Sequence, residues 1–166
     1  VLVNYIDTPK LYKGCKTVGE IHDVSLRQDL SRLENRKGEK DKIITLPDEL
    51  RVLNNMRVLN YTIQPLLSRY SFIQTAEKLK NCMGALGYYE KSREGLGYCF
   101  CLTEDGEINE KSIAIELTRE RNELLGLSSM WVVSQCYGYK NQIPENHTEF
   151  SDIIQETIHK QRMETI

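Results

Sequence analysis

No apolar run in this chain of 166 residues approaches the roughly 18 to 20 residues a membrane-crossing helix needs, so none is expected. An excess of one charge is missing too. The 22 Lys and Arg stand against 24 Asp and Glu, a formal net charge of −2, and no global field points toward nucleic acid or a membrane surface. Neither a Walker loop nor a G-x-G-x-x-G segment occurs, which leaves those routes to nucleotide binding without support. The N-terminus has no basic segment followed by an apolar one, so no signal peptide is expected. The opening residue is Val1 rather than Met, which fits a processed or excised piece of something longer. No internal repeat or low-complexity tract appears.

Five cysteines, at 15, 82, 99, 101 and 136, are an odd number and include no C-x-x-C pair. They read as free thiols in a reducing compartment, which predicts a cytoplasmic protein. The sequons at Asn60 and Asn146 point mildly the other way, but this composition produces about one by chance.

What is present is ordinary for a globular protein, with 40% hydrophobic and 28% charged residues. The length suits a single domain over 1–166 that buries a core without disulfides or metals. Val1–Val3 with Tyr5 and Ile6 read as a strand ended by Thr8-Pro9. A helix capped by Asp23 or Ser25 runs to about Asn35 on a stripe of Leu26, Leu30 and Leu33. The RKGEKDK run marks a flexible charged loop at 36–43.

Pro47-Asp48-Glu49 opens a second helix, with Val52, Met56, Leu59 and Ile63 at helical spacing until Pro65 ends it. A third covers about 66–83, burying Phe72, Ala76, Leu79 and Met83. The last runs from about Thr148 to Met163 on Ile153, Ile154, Thr157 and Ile158.

The segment 96–118 carries the clearest spatial instruction. Tyr98, Phe100 and Leu102 alternate with Cys99, Cys101 and Thr103, Asp105-Gly106 supplies a turn, and Ile113, Ile115 and Leu117 alternate again. This predicts a β-hairpin, followed by a short polar helix at 119–125 and then Met130–Val133 as a strand or as that helix continued. The expected fold is therefore helix-rich α+β, with four or five helices packed on a small antiparallel hairpin or sheet.

Three kinds of chemistry are legible. Asp105 and Glu116, a turn acid and a strand acid, are candidate ligands and catalytic carboxylates for Mg or Mn, which prefer hard oxygen donors. His22 is a further candidate metal ligand. The acid pair and the helix expected after it resemble the core of PD-(D/E)xK metal-dependent nucleases, including viral cap-snatching endonucleases. That resemblance covers about a quarter of the chain and implies a nucleic-acid substrate. The sequence departs from it at Thr118, where the family carries lysine. Arg119 and Arg121 nearby hold a fixed charge and cannot act as bases.

Cys99 and Cys101 share one strand side and, with Cys82, Cys136 or His147, have the donor types of a zinc site. Cys99, His147 and Asp152 have the chemistry of a thiol hydrolase. Neither arrangement comes with a diagnostic spacing or a nucleophile elbow. By elimination, the expectation is a non-enzymatic protein-interaction or regulatory domain without a cofactor, binding another protein. The metal-dependent nuclease and the Cys/His hydrolase stand as alternatives.

Overall fold

A computed structural model of the chain describes residues 16–21, 24–25, 27–28, 43–84, 86–122 and 126–165. The expected first strand, most of the first helix, the charged loop, His22 and Cys15 lie outside the described residues.

The core is a five-stranded antiparallel sheet whose strands follow chain order: β1 (Arg57–Val58), β2 (Tyr61–Pro65), β3 (Gly97–Thr103), β4 (Ile113–Asn122) and β5 (Gly126–Tyr137). From residue 43 onward the α-helices among the described residues are α1 (Asp48–Arg51), α2 (Arg69–Leu79), α3 (Leu86–Arg93) and α4 (His147–Thr165). The fold is α+β, but not the helix-rich fold with a small hairpin. It is corrected to a curled half-barrel sheet, because two segments expected to be helical are strands.

The first is 52–64. Only Asp48–Arg51 is helical, after which Asn55 and Leu59 take positive φ (61° and 55°) and the chain doubles back. Asn tolerates that backbone region. Val58, Thr62 and Ile63 are β-branched and suit the pleated ribbon that follows. Val58 and Ile63 face the core while Leu59 stays exposed, so the helical stripe was an accident of spacing.

The second is 119–122; the remainder of the expected 119–125 helix, 123–125, lies outside the described residues. β4 does not stop at Thr118; it continues to Asn122 and pairs with β5 through Arg119↔Trp131 and Arg121↔Leu127. The run RERN carries no apolar alternation to read, and its strand state comes from pairing with β5.

α2 starts at Ser68, not Leu66. The Ser68 and Ser71 hydroxyls each accept from the other's backbone N–H at 3.1 Å, a reciprocal cap. It ends on Lys80 in the left-handed conformation, short of the expected end near residue 83. The EKSR run, just before the hairpin, belongs to α3.

Alternation fixes the layers. Cys99, Cys101 and Glu116 point to one side of the sheet, where α3 packs on β3. Tyr98, Phe100, Leu102, Ile115 and Leu117 point to the other, where Tyr61 meets Phe150 of α4 edge to face at 5.4 Å. Every residue of β3 is consequently buried. Among the described residues, no helix is long and apolar enough to cross a membrane.

Candidate functional site

The most concentrated polar chemistry on the sheet is built around Glu116 in the middle of β4. Its side chain is only 2% exposed, yet both carboxylate oxygens are engaged. Lys91 of α3 donates to Oε1 at 2.6 Å. The Ser134 hydroxyl donates to Oε2 at 3.0 Å and lies 3.2 Å from the Glu116 carbonyl. Ser134 can do so because the β4–β5 register shifts there: Glu116 opposes Gln135 and Leu117 opposes Val133, leaving Ser134 as a bulge residue.

Gly97 makes room for the pair. A Cβ at that position would sit 3.2 Å from Glu116 Oε1, from Lys91 Cε and from Thr118 Cγ2. The polar chain continues along the same sheet face. Tyr88 Oη donates to Gln135 Oε1 at 2.8 Å, and Cys82 Sγ lies 3.6 Å from that hydroxyl. Burial, followed by Cys82 and Glu116, pushes the Tyr88 phenol up to about 12, against the lowering effect of Gln135.

The expected site residues do not converge here. Asp105 is exposed at the hairpin turn, where its Oδ1 accepts from the Glu107 N–H at 3.2 Å. Glu116 pairs with Cys99, and Cys99 lies about 13 Å of strand from Thr103, beyond which Asp105 sits. With Lys91 and Ser134 on Glu116, its oxygens are committed to an internal ion pair. Among the described residues, no three His, Cys, Asp or Glu side chains are grouped to hold a metal ion. His22 lies outside the described residues.

Cys99 is buried in β3, and burial first, then the Glu116 carboxylate, push its thiol well above the usual range. Thiolate chemistry is suppressed by that environment. His147 is exposed at the start of α4, with Nδ1 3.1 Å from the Pro144 carbonyl and Nε2 3.4 Å from Thr148 Oγ1. Cys101 and Cys136 are raised by burial as well, to about 12 and about 11. Cys82 is the exposed thiol among the described cysteines.

A second cluster closes the far end of the sheet. Glu49 of α1 accepts from Arg119 Nη2 at 3.2 Å and from Trp131 Nε1 at 3.1 Å, while the Arg119 guanidinium stacks 4.6 Å from the Trp131 ring centre. Lys91, Ser134, Tyr88, Gln135 and Glu49 were all missed in the sequence, where no local spacing connects them. The one local hint is Gly97, a small residue inside an otherwise bulky strand.

β5 ends the sheet, and among the described residues no strand pairs with its outer side. The Val133 N–H points outward and is met by Gln155 Oε1 of α4 at 3.2 Å. Beside it, Met130, Trp131, Gln155, Ile158, His159 and Arg162 line a shallow groove of about 40 Å³. Comparison with known protein families, curated proteins and solved structures finds no match to this chain.

Proposed function

We propose that this chain is a non-enzymatic protein-interaction or regulatory domain, and that the outer edge of β5 is its docking surface. One observation carries the reading: among the described residues a strand of twelve residues forms the last position of the sheet, with the outward N–H of Val133 held by a side-chain amide. A glutamine amide has the donor and acceptor of a peptide group, so Gln155 occupies the place an added strand would take. Added strands gain affinity from backbone hydrogen bonds and specificity from neighbouring side-chain pockets. Met130, 55% exposed, and the small groove beside it flank that edge.

The state of the candidate catalytic groups agrees with a binding role. Both Glu116 oxygens are taken up by Lys91 and Ser134, Cys99 is held as a thiol, and Asp105 and His147 stand apart on the surface. A reducing, cytoplasmic setting suits the unpaired Cys82, Cys99, Cys101 and Cys136.

Site-specific photocrosslinking tests the reading. A benzophenone side chain at position 130 is expected to give a discrete protein adduct that the same group at Glu110, on the hairpin loop, does not give. Val133→Pro should abolish that adduct. Equal labelling from both positions, or none from position 130, overturns the proposal.

A further inference from the structure

We infer that the partner on the β5 edge is a second copy of this chain, joined antiparallel so that two sheets become one. This rests on the reading of β5 as a docking edge and names its occupant. Edge strands in stable monomers commonly carry charged residues, which oppose edge-to-edge pairing. Here the pattern is inverted. β4, an interior strand, contains Glu116, Arg119, Glu120 and Arg121, whereas Gly126–Tyr137 at the edge contains no charged residue. At 28% charged overall, a segment of twelve would carry about three.

Absence of charge has a particular meaning for self-pairing. Around a two-fold axis a strand lies opposite itself, so any charge on it would face a like charge within a few residues. β5 avoids this along its whole length. The opposite edge of the sheet, β1, is two residues long and offers no comparable ladder.

The outward hydrogen-bonding positions define the register. Val133 points its N–H away from β4, and the two-residue period of a strand makes Trp131 outward as well. Both lie on the regular stretch 131–133, between the two register shifts of the β4–β5 pairing. A two-fold axis at Val132 then lets Trp131 and Val133 of one copy exchange N–H and C=O groups with Val133 and Trp131 of the other. Gln155 swings aside as the incoming strand takes over its bond. Met130 and the α4 side chains lining its groove lie beside this ladder and are covered as the second sheet arrives.

Sedimentation equilibrium of the full chain at about 100 µM tests the pairing. The expected result is twice the chain mass for the wild type and the single chain mass for Val133→Pro, which should still melt cooperatively but at a lower midpoint, because it loses both the association and the Gln155 bond. Proline at 133 removes an outward donor and leaves the β4 ladder intact. Independently, Val132→Cys in a Cys82→Ser background should form an intermolecular disulfide. Facing residues at the axis are about 4.5 Å apart at Cα, within disulfide range. Mass spectrometry of the linked peptide then identifies the residue.

A wild type that sediments as a single chain overturns the inference, as does a dimer that Val132→Cys fails to link. Should Val133→Pro not fold, the disulfide decides alone. A monomer that still gives β5 adducts with other proteins removes the second copy but leaves the interaction reading standing. Loss of both signals removes both.

Discussion

Lys91 Nζ lies 2.6 Å from Oε1 of Glu116, joining α3 to the middle of β4 across the strand between them. The lysine is 40% exposed and the carboxylate 2%, so the desolvation cost falls mainly on the acid. The pair therefore acts as a clamp between helix and sheet, and its partners are unequal in what their loss does.

Lys91→Ala should leave a buried carboxylate with only Ser134 as a partner and destabilise by about 2 kcal/mol. Glu116→Gln keeps the shape and the hydrogen-bonding capacity and should cost less. Urea unfolding of the two variants checks the order. Equal losses would show that the charge is not the element being protected.

The four described cysteines should separate into two classes. Cys82 is expected to react first with a thiol reagent at neutral pH, while Cys99, Cys101 and Cys136 stay protected until unfolding. Alkylation followed by peptide mapping distinguishes them. Labelling of Cys99 alongside Cys82 in the folded protein would contradict the burial described for β3.

The same thiols predict a pH dependence. Their folded values, about 12 for Cys101 and about 11 for Cys136, exceed those of an unfolded chain, so the unfolded state loses protons first as pH rises. Stability is then fully present below about pH 8.5 and falls between there and the folded values, by up to about 1.4 kcal/mol per pH unit for each thiol. Denaturant midpoints at successive alkaline pH values measure this. Cys101→Ala should flatten the decline.

Gly97→Ala introduces a methyl against the Lys91–Glu116 pair and Thr118 at once, all at 3.2 Å. It should destabilise by about 1 kcal/mol despite the entropy advantage of alanine, and Gly97→Val by more. A neutral Gly97→Ala, measured by chemical denaturation, would mean that the helix shifts freely on the sheet.

Trp131 is the sole tryptophan, 4% exposed, and gives a fluorescence signal for the β4–β5 end of the molecule. Its emission should shift to the red on unfolding. Glu49→Ala, which removes the acceptor shared by Trp131 and Arg119, should lower stability by about 1–2 kcal/mol. A Glu49→Ala melt indistinguishable from wild type would assign that contact no structural weight.

How far the sequence could be read depended on whether the signal was local. The 97–118 hairpin was legible because alternation, Asp105-Gly106 and β-branched residues agree within one stretch. α4 was legible because Phe150, Ile154 and Ile158 repeat at helical spacing. The 52–65 ribbon was not, because Val52, Met56, Leu59 and Ile63 fit a helical period, and only Asn54-Asn55 hinted at the reversal. The role of Glu116 was also hidden. It was readable as an acid on a strand, but its partners come from α3 and from a bulge in β5, and nothing in their spacing announces the meeting.

Because the strand order repeats the order of synthesis, each pairing joins the nearest available neighbours. Closure of the β3–β4 ribbon needs only the 104–112 loop to turn, whereas β2 reaches β3 only after 66–96 has been gathered in. Short closures are the faster ones, of order microseconds for a hairpin. The β1–β2 and β3–β4 ribbons are thus both short closures, and the joining of β2 to β3 across 66–96 is the long one.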